Sequence, residues 1–130
     1  MKMYCIVSRE ALKAMNGNRG KLAAQAGHAY LHAYWDAEAR GSELPRGMDG
    51  YTTPEQYRLF AKATKVCLVV ETTDELRELE ARYRPVCGVS LVTDAGLTCF
   101  DGVPTVTCLG IGPIRDKDVG DDLKALKVLI

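Results

Sequence analysis

Apolar residues in this chain gather into short dense runs and helical stripes, separated by polar, glycine-bearing breaks. Residues 3–8 are apolar almost throughout and β-branched at Ile6 and Val7, which predicts a short buried strand. A loop with two turn glycines follows. From about residue 20 to residue 39, Leu22, Ala26, Ala29, Leu31 and Ala33 recur at helical spacing and predict a long helix. Gly41, Ser42 and the polar stretch 45–50 break it and predict a mobile loop. Thr53, Pro54 and Gln56 form a helix start, a cap followed by proline at the first helical position, with Tyr57, Phe60 and Ala61 on the apolar side.

Residues 65–71 (Lys-Val-Cys-Leu-Val-Val-Glu) predict the second strand. Thr72, Thr73, Asp74 and Glu75 then read as a capping box opening a helix to about Arg84, with Leu76, Leu79 and Tyr83 on one stripe and Pro85 as the stop. Residues 89–93 and 105–111 predict two further strands, and their short connection makes them an antiparallel pair. A mostly polar helix is expected after Arg115, with Leu123, Leu126 and Leu129 three apart. The order β-α-α-β-α-β-β-α predicts one α/β domain over residues 1–130: a three-layer α/β/α sandwich on a four-stranded mixed, mostly parallel sheet.

At 130 residues and 47% apolar composition the chain has enough material for a core without staples. A formal net charge of zero argues against non-specific coating of nucleic acid. The charge is uneven, however: between residues 9 and 21, Arg9, Lys13, Arg19 and Lys21 face only Glu10, which makes a local basic patch. The five cysteines form no Cys-x-x-Cys pair, and four lie in apolar, strand-like runs. They read as buried free thiols in a reducing compartment. The opening apolar run is too short for a signal peptide and no stretch reaches the length of a membrane span, so the expected location is cytoplasmic.

The candidate chemistry starts at Gly17-Asn-Arg-Gly-Lys-Leu-Ala-Ala-Gln-Ala-Gly-His-Ala29. A basic turn runs into a small-residue helix, with Arg19 and Lys21 at its start and Gln25 and His28 a turn apart. Helix N–H groups and two cations there suit a phosphate or a developing oxyanion. A nucleotide P-loop does not fit, because the glycines are too close and Leu22 stands where a magnesium-holding hydroxyl belongs. Gly110-Ile-Gly112 lacks the helix a dinucleotide site requires and reads as a strand end. His28 and His32 sit one turn apart without a third ligand at metal spacing. In a mostly parallel sheet the strand C-terminal ends share one rim, which gathers Ser8 and Arg9, Thr72 and Thr73, and Asp94-Ala95-Gly96 beside the basic turn. Alone, Asp94 to Gly96 reads as a tight turn; beside the basic turn it reads as the acidic half of a site.

These residues resemble the peptidyl-tRNA hydrolases of the second type, the archaeal and eukaryotic kind. That family's Lys-Gly-Lys-x-Ala-Ala-Gln-x-x-His-Ala appears as Arg19-Gly-Lys-Leu-Ala-Ala-Gln-Ala-Gly-His-Ala29. Its Asp-Ala-Gly-x-Thr, followed by a strand ending Gly-x-Gly-Pro, appears as Asp94-Ala-Gly-Leu-Thr98 and Gly110-Ile-Gly-Pro113. Lys65, Gly120 and Leu123-Lys124 also fall in family-like places. The resemblance implies hydrolysis of the ester between a peptide and the 3′ ribose of tRNA, without metal or organic cofactor, commonly by a homodimer.

It further implies that Lys21 stabilises the oxyanion or the leaving 3′ oxygen, that Asp94 orients or deprotonates the water, and that the Thr98 hydroxyl holds it. Arg9, Arg19, Gln25, His28 and Lys65 are then substrate-binding or positioning residues, with His28 open to a second reading as a satisfied core histidine. The chain departs from the family at Arg19, where lysine is usual, at Leu97, where a basic residue is usual, and at Cys99, where a polar one is. The segment from Trp35 to Ala63 is enlarged. Two other functions stay open on sequence: hydrolysis of another acyl–RNA ester, or a non-catalytic tRNA-binding or protein-interaction module that keeps the fold.

Overall fold

A computed structural model of the chain describes residues 1–44, 62–96 and 102–130. The loop expected at 45–50, the helix start at Thr53, and Leu97, Thr98 and Cys99 lie outside these residues. Strand β1 (Lys2–Ser8) leads into helix α1 (Arg9–Met15), and α2 (Arg19–Ala39) follows. After β2 (Thr64–Val70) come α3 (Thr73–Tyr83), β3 (Val89–Asp94), β4 (Thr105–Ile114), the single turn α4 (Asp121–Lys124) and β5 (Lys127–Val128).

The sheet has five strands in the order β3-β4-β1-β2-β5, one more than the four expected. Its pairing is mixed but not mostly parallel as expected: β1 and β2 are parallel, and every other neighbouring pair is antiparallel. The expected β3–β4 antiparallel pair is present. Because β4 runs opposite to both neighbours, β1, β2 and β3 still point the same way and end on one rim. The extra strand corrects the reading of the tail as helix. Helix α4 stops after one turn, and Lys127 and Val128 pair with Val69 and Leu68 on the edge of β2. Two residues carry no period to read, and an open strand edge offers them backbone partners.

Helix α1 replaces the expected loop. Ser8 caps it by accepting from Ala11 N–H at 3.1 Å, and Ala11 and Met15, one turn apart, bury its inner side under Leu22. Asn16 at φ 49° closes it in the left-handed conformation. Strand β4 also runs past the expected end at Gly110-Ile-Gly112, to Ile114, where it pairs with Lys2.

Alternation along β1 divides the core between two faces. Tyr4 and Ile6 pack with Leu76, Leu79 and Tyr83 of α3, while Met3, Cys5 and Val7 pack toward α2 with Ala29, Ala33 and Cys108. Helix α3 begins with a complete capping box between Thr72 and Glu75, as its sequence predicts. The residues α2 buries are Gln25, Ala29, Ala33 and Ala37, all four apart, while Leu31 points outward. This stripe lies almost on the sheet. A Cβ added at Gly110 would stand 2.0 Å from the Ala29 carbonyl oxygen, and one at Gly88 would stand 2.2 Å from that of Ala33.

The far end of α2 is tied down by Asp36, which accepts the Val89 N–H at 2.9 Å and binds Arg40 at 2.6 Å. Burial raises the proton affinity of Asp36, but Arg40 and the Val89 N–H outweigh it and hold the carboxyl below the usual carboxylate range. Cys5, Cys87 and Cys108 are buried, Cys67 is partly buried, and all four are free thiols.

Candidate active site

The close docking of α2 sets its first turn against the end of β3. Asn18 caps α2 through its side-chain oxygen, which accepts the Lys21 N–H at 3.0 Å and starts the helix at Arg19. Lys21 and Gln25, one turn apart, then face Asp94. The Lys21 ammonium lies 2.5 Å from Asp94 Oδ2, and Gln25 Nε2 donates to the same oxygen at 3.1 Å. The other oxygen, Oδ1, accepts the Gly96 N–H at 2.7 Å. Gly96 adopts φ 85°, and a Cβ there would stand 2.4 Å from the Val103 carbonyl oxygen, so only glycine fits this turn.

Lys21 and Asp94 expose only 15% and 11% of their side chains, so their attraction is less screened than that of a surface pair. The Lys21 hydrogen bond is the main reason the Asp94 carboxyl sits below the usual range. Partial burial opposes it, and the Gly96 N–H and Gln25 add to it. The group is a firmly ionised carboxylate with an ammonium at contact distance.

Gln25 is itself fixed from below. Its Oε1 accepts the Thr107 hydroxyl at 2.7 Å, and Thr107 is fully buried in β4. That bond leaves the amide nitrogen for Asp94. Sequence reading missed Thr107; the available signal was a hydroxyl in the alternating run Thr-Val-Thr-Cys-Leu of an otherwise apolar strand.

Above the pair a groove of about 340 Å3 separates α2 from β3, lined by Gln25, His28 and His32 on one side and by Leu91 to Ala95 on the other. His28 is exposed on this groove, which removes its reading as a core histidine. Among the described residues, no three His, Cys, Asp or Glu side chains stand together as metal ligands.

The remaining sequence candidates disperse. Arg19 lines a small hollow of about 120 Å3 with Leu12, Met15 and Leu22, so the two cations of the basic turn do not converge as expected. The Lys21 N–H, expected to face an anion, is taken by the Asn18 cap. Arg9 pairs with Glu71 at 2.9 Å. On that half of the rim, Ser8 and Thr72 serve as caps and Thr73 donates to Glu10, so these hydroxyls are spent on the fold. Lys65 opens a second groove of about 310 Å3 on the other flank of α2, with Tyr30, Tyr34 and Trp35. Burial lowers its ammonium below the usual lysine range.

A mixed α/β sheet sets an ammonium against a carboxylate at the edge of a groove, which defines an α/β protein with a paired acid–base site on its strand rim. Comparison with known proteins narrows the class. The family model described as peptidyl-tRNA hydrolase PTH2 matches residues 1–129, and the chain belongs to that family. It is 40% identical over 120 residues to a peptidyl-tRNA hydrolase of Methanopyrus kandleri, covering 92% of this chain and 90% of that protein. It is 37% identical over 136 residues to one from Methanothermobacter thermautotrophicus, covering 99% of this chain and all of the relative. A Methanocaldococcus jannaschii peptidyl-tRNA hydrolase is 28% identical over 130 residues, again with 99% of this chain and the whole relative covered.

Proposed function

We propose that this chain hydrolyses the ester joining a peptide to the 3′ ribose of tRNA. The contact of Lys21 with Asp94 at the mouth of the α2–β3 groove carries the reading, in a chain of the PTH2 family. Ester hydrolysis needs a positioned water and positive charge where the carbonyl oxygen becomes an oxyanion. In this reading Asp94 orients the water, a task suited to a carboxylate whose proton affinity is lowered. The water adds to the carbonyl carbon, the oxyanion meets Lys21, and collapse breaks the bond to the 3′ oxygen. As the Lys21 charge is drawn to the oxyanion, the main cause holding Asp94 down weakens. The carboxylate then accepts the water proton and passes it to the leaving oxygen.

Gln25 holds Asp94 in place, and Thr98 supplies a hydroxyl to the water. Arg9, Arg19 and Lys65 serve the phosphates, and His28 forms the groove wall. The place of such a reaction is the cytoplasm, where peptidyl-tRNA arises. The test is release of free tRNA from a diacetyl-lysyl-tRNA ester by the purified chain. Turnover is the expected result. Salt-dependent binding without turnover overturns it in favour of a tRNA-binding module, and cleavage of small acyl esters but not the peptidyl substrate overturns the choice of substrate.

A further inference from the structure

Lys21 and Gln25 are the first two members of a longer stripe. His28, His32 and Trp35 continue it at steps of three, four and three residues, a spacing that keeps side chains on one side of a helix. At 1.5 Å per residue the stripe extends about 21 Å along α2. Its outer half is aromatic. The His28 and His32 rings lie 5.4 Å apart at 32°, and the His32 and Trp35 rings lie 5.5 Å apart at 19°. The first pair is tilted and the second stacked, both within aromatic contact distance, and Trp35 ends the ladder. Trp35 is 54% exposed, so its indole is spent neither on the core nor on the sheet. The near end of the ladder walls the groove that holds Asp94, and the far end borders the groove that holds Lys65.

We propose that the His28–His32–Trp35 ladder is a stacking platform for the unpaired nucleobases at the 3′ end of the acceptor strand. The terminal base enters the α2–β3 groove, and the preceding bases lie against His32 and Trp35. The inference deepens the peptidyl-tRNA reading and rests on it. The scissile ester sits on the ribose of the last nucleotide, so that nucleotide's base has to lie beside Asp94. A groove of about 340 Å3 falls at the low end of the roughly 300–1,000 Å3 typical of ligand pockets. Every base offers a flat π-face to such a platform whatever its sequence, whereas the peptide side presents no constant ring. Lys65 at the far end of the stripe places a cation where the phosphates of the preceding nucleotides would run.

Trp35 is the chain's single tryptophan, so its fluorescence reports the platform directly. The probe is the single-stranded trinucleotide CCA with a free 3′ hydroxyl, run beside an abasic trinucleotide and a phenylalanine-containing tripeptide amide. Saturable quenching by CCA alone is the expected result. Equal quenching by the abasic strand overturns the proposal, as does quenching by the peptide only, or none by CCA. In the hydrolysis assay, Trp35→Ala and His32→Ala should each raise KM about tenfold, the scale of one lost base–aromatic stack. The value of kcat should be kept, and Trp35→Phe should restore KM. Unchanged KM in both alanine variants overturns the platform while leaving the hydrolase reading intact. Quenching by CCA in a chain that cleaves no peptidyl-tRNA supports the platform and removes the hydrolase.

Discussion

The Thr107 hydroxyl donates to Gln25 Oε1 at 2.7 Å, and that one buried bond decides which way the Gln25 amide faces Asp94. With the oxygen engaged below, the nitrogen is the end presented to the carboxylate. Reversed, the amide would set its oxygen against the carboxylate oxygen of Asp94.

Thr107→Val keeps the shape of the side chain and removes its donor. It leaves a buried amide oxygen unsatisfied, at a cost of about 1–3 kcal/mol. Denaturant unfolding should show the loss, and kcat should fall several-fold as Gln25 loosens; Thr107→Ser should recover most of both. Equal stability in the valine variant would show that Gln25 is held by other means.

Lys21→Ala and Asp94→Asn should each lower kcat by about 10²–10³-fold, the usual scale for a preorganised donor or a positioned base. The asparagine keeps the shape and removes the charge, which separates chemistry from packing. A steady-state assay on peptidyl-tRNA reads both, and a variant that turns over at the parental rate takes its residue out of the mechanism.

The pH dependence follows from the direction of the Asp94 shift. A carboxyl held down in the folded protein supports stability above its unfolded value of about 3.9, and that support is lost as pH falls through the lower folded value. The acid limb of the pH–kcat profile should accordingly lie below the ordinary carboxylate range. Removing Lys21 removes the main cause, so in Lys21→Ala the residual activity should show this limb at higher pH. A limb that stays in place would mean that another group titrates.

Gly110→Ala should destabilise the protein by about 3 kcal/mol or more, at or beyond the upper end of the roughly 1–3 kcal/mol usual for overpacking, because the added carbon meets backbone rather than a yielding side chain. Thermal unfolding reads the loss. If α2 is pushed off the sheet, the Lys21–Asp94 contact lengthens and kcat falls with stability. Full stability in the alanine variant would contradict the close docking.

The local features legible in the sequence were those with a short-range cause. The capping box at Thr72 and Glu75, the extent of α2 and the β3–β4 pair are written in neighbouring residues. The Lys21 and Asp94 motifs were legible as motifs, and the Gln25 contact with Asp94 is one turn of α2 further on. Helix α1 was missed because seven residues carry too little period, and β5 because two carry none. Leu31 was assigned to the buried side of α2, yet the helix turns an alanine stripe inward, since only small side chains let it approach Gly88 and Gly110.

By itself, then, the sequence determined the α/β class, the helix and strand signals set by local residues, and the two motifs that carry the charged groups. Tertiary structure alone decided that Lys21 meets Asp94 while Arg19 lines a separate hollow, that Thr107 orients Gln25, and that His32 and Trp35 stack in line with the Lys21–Asp94 pair. Charge and periodicity act over a few residues and leave their mark on the chain. Contacts between residues as far apart as 25 and 107 exist only once the sheet has aligned them.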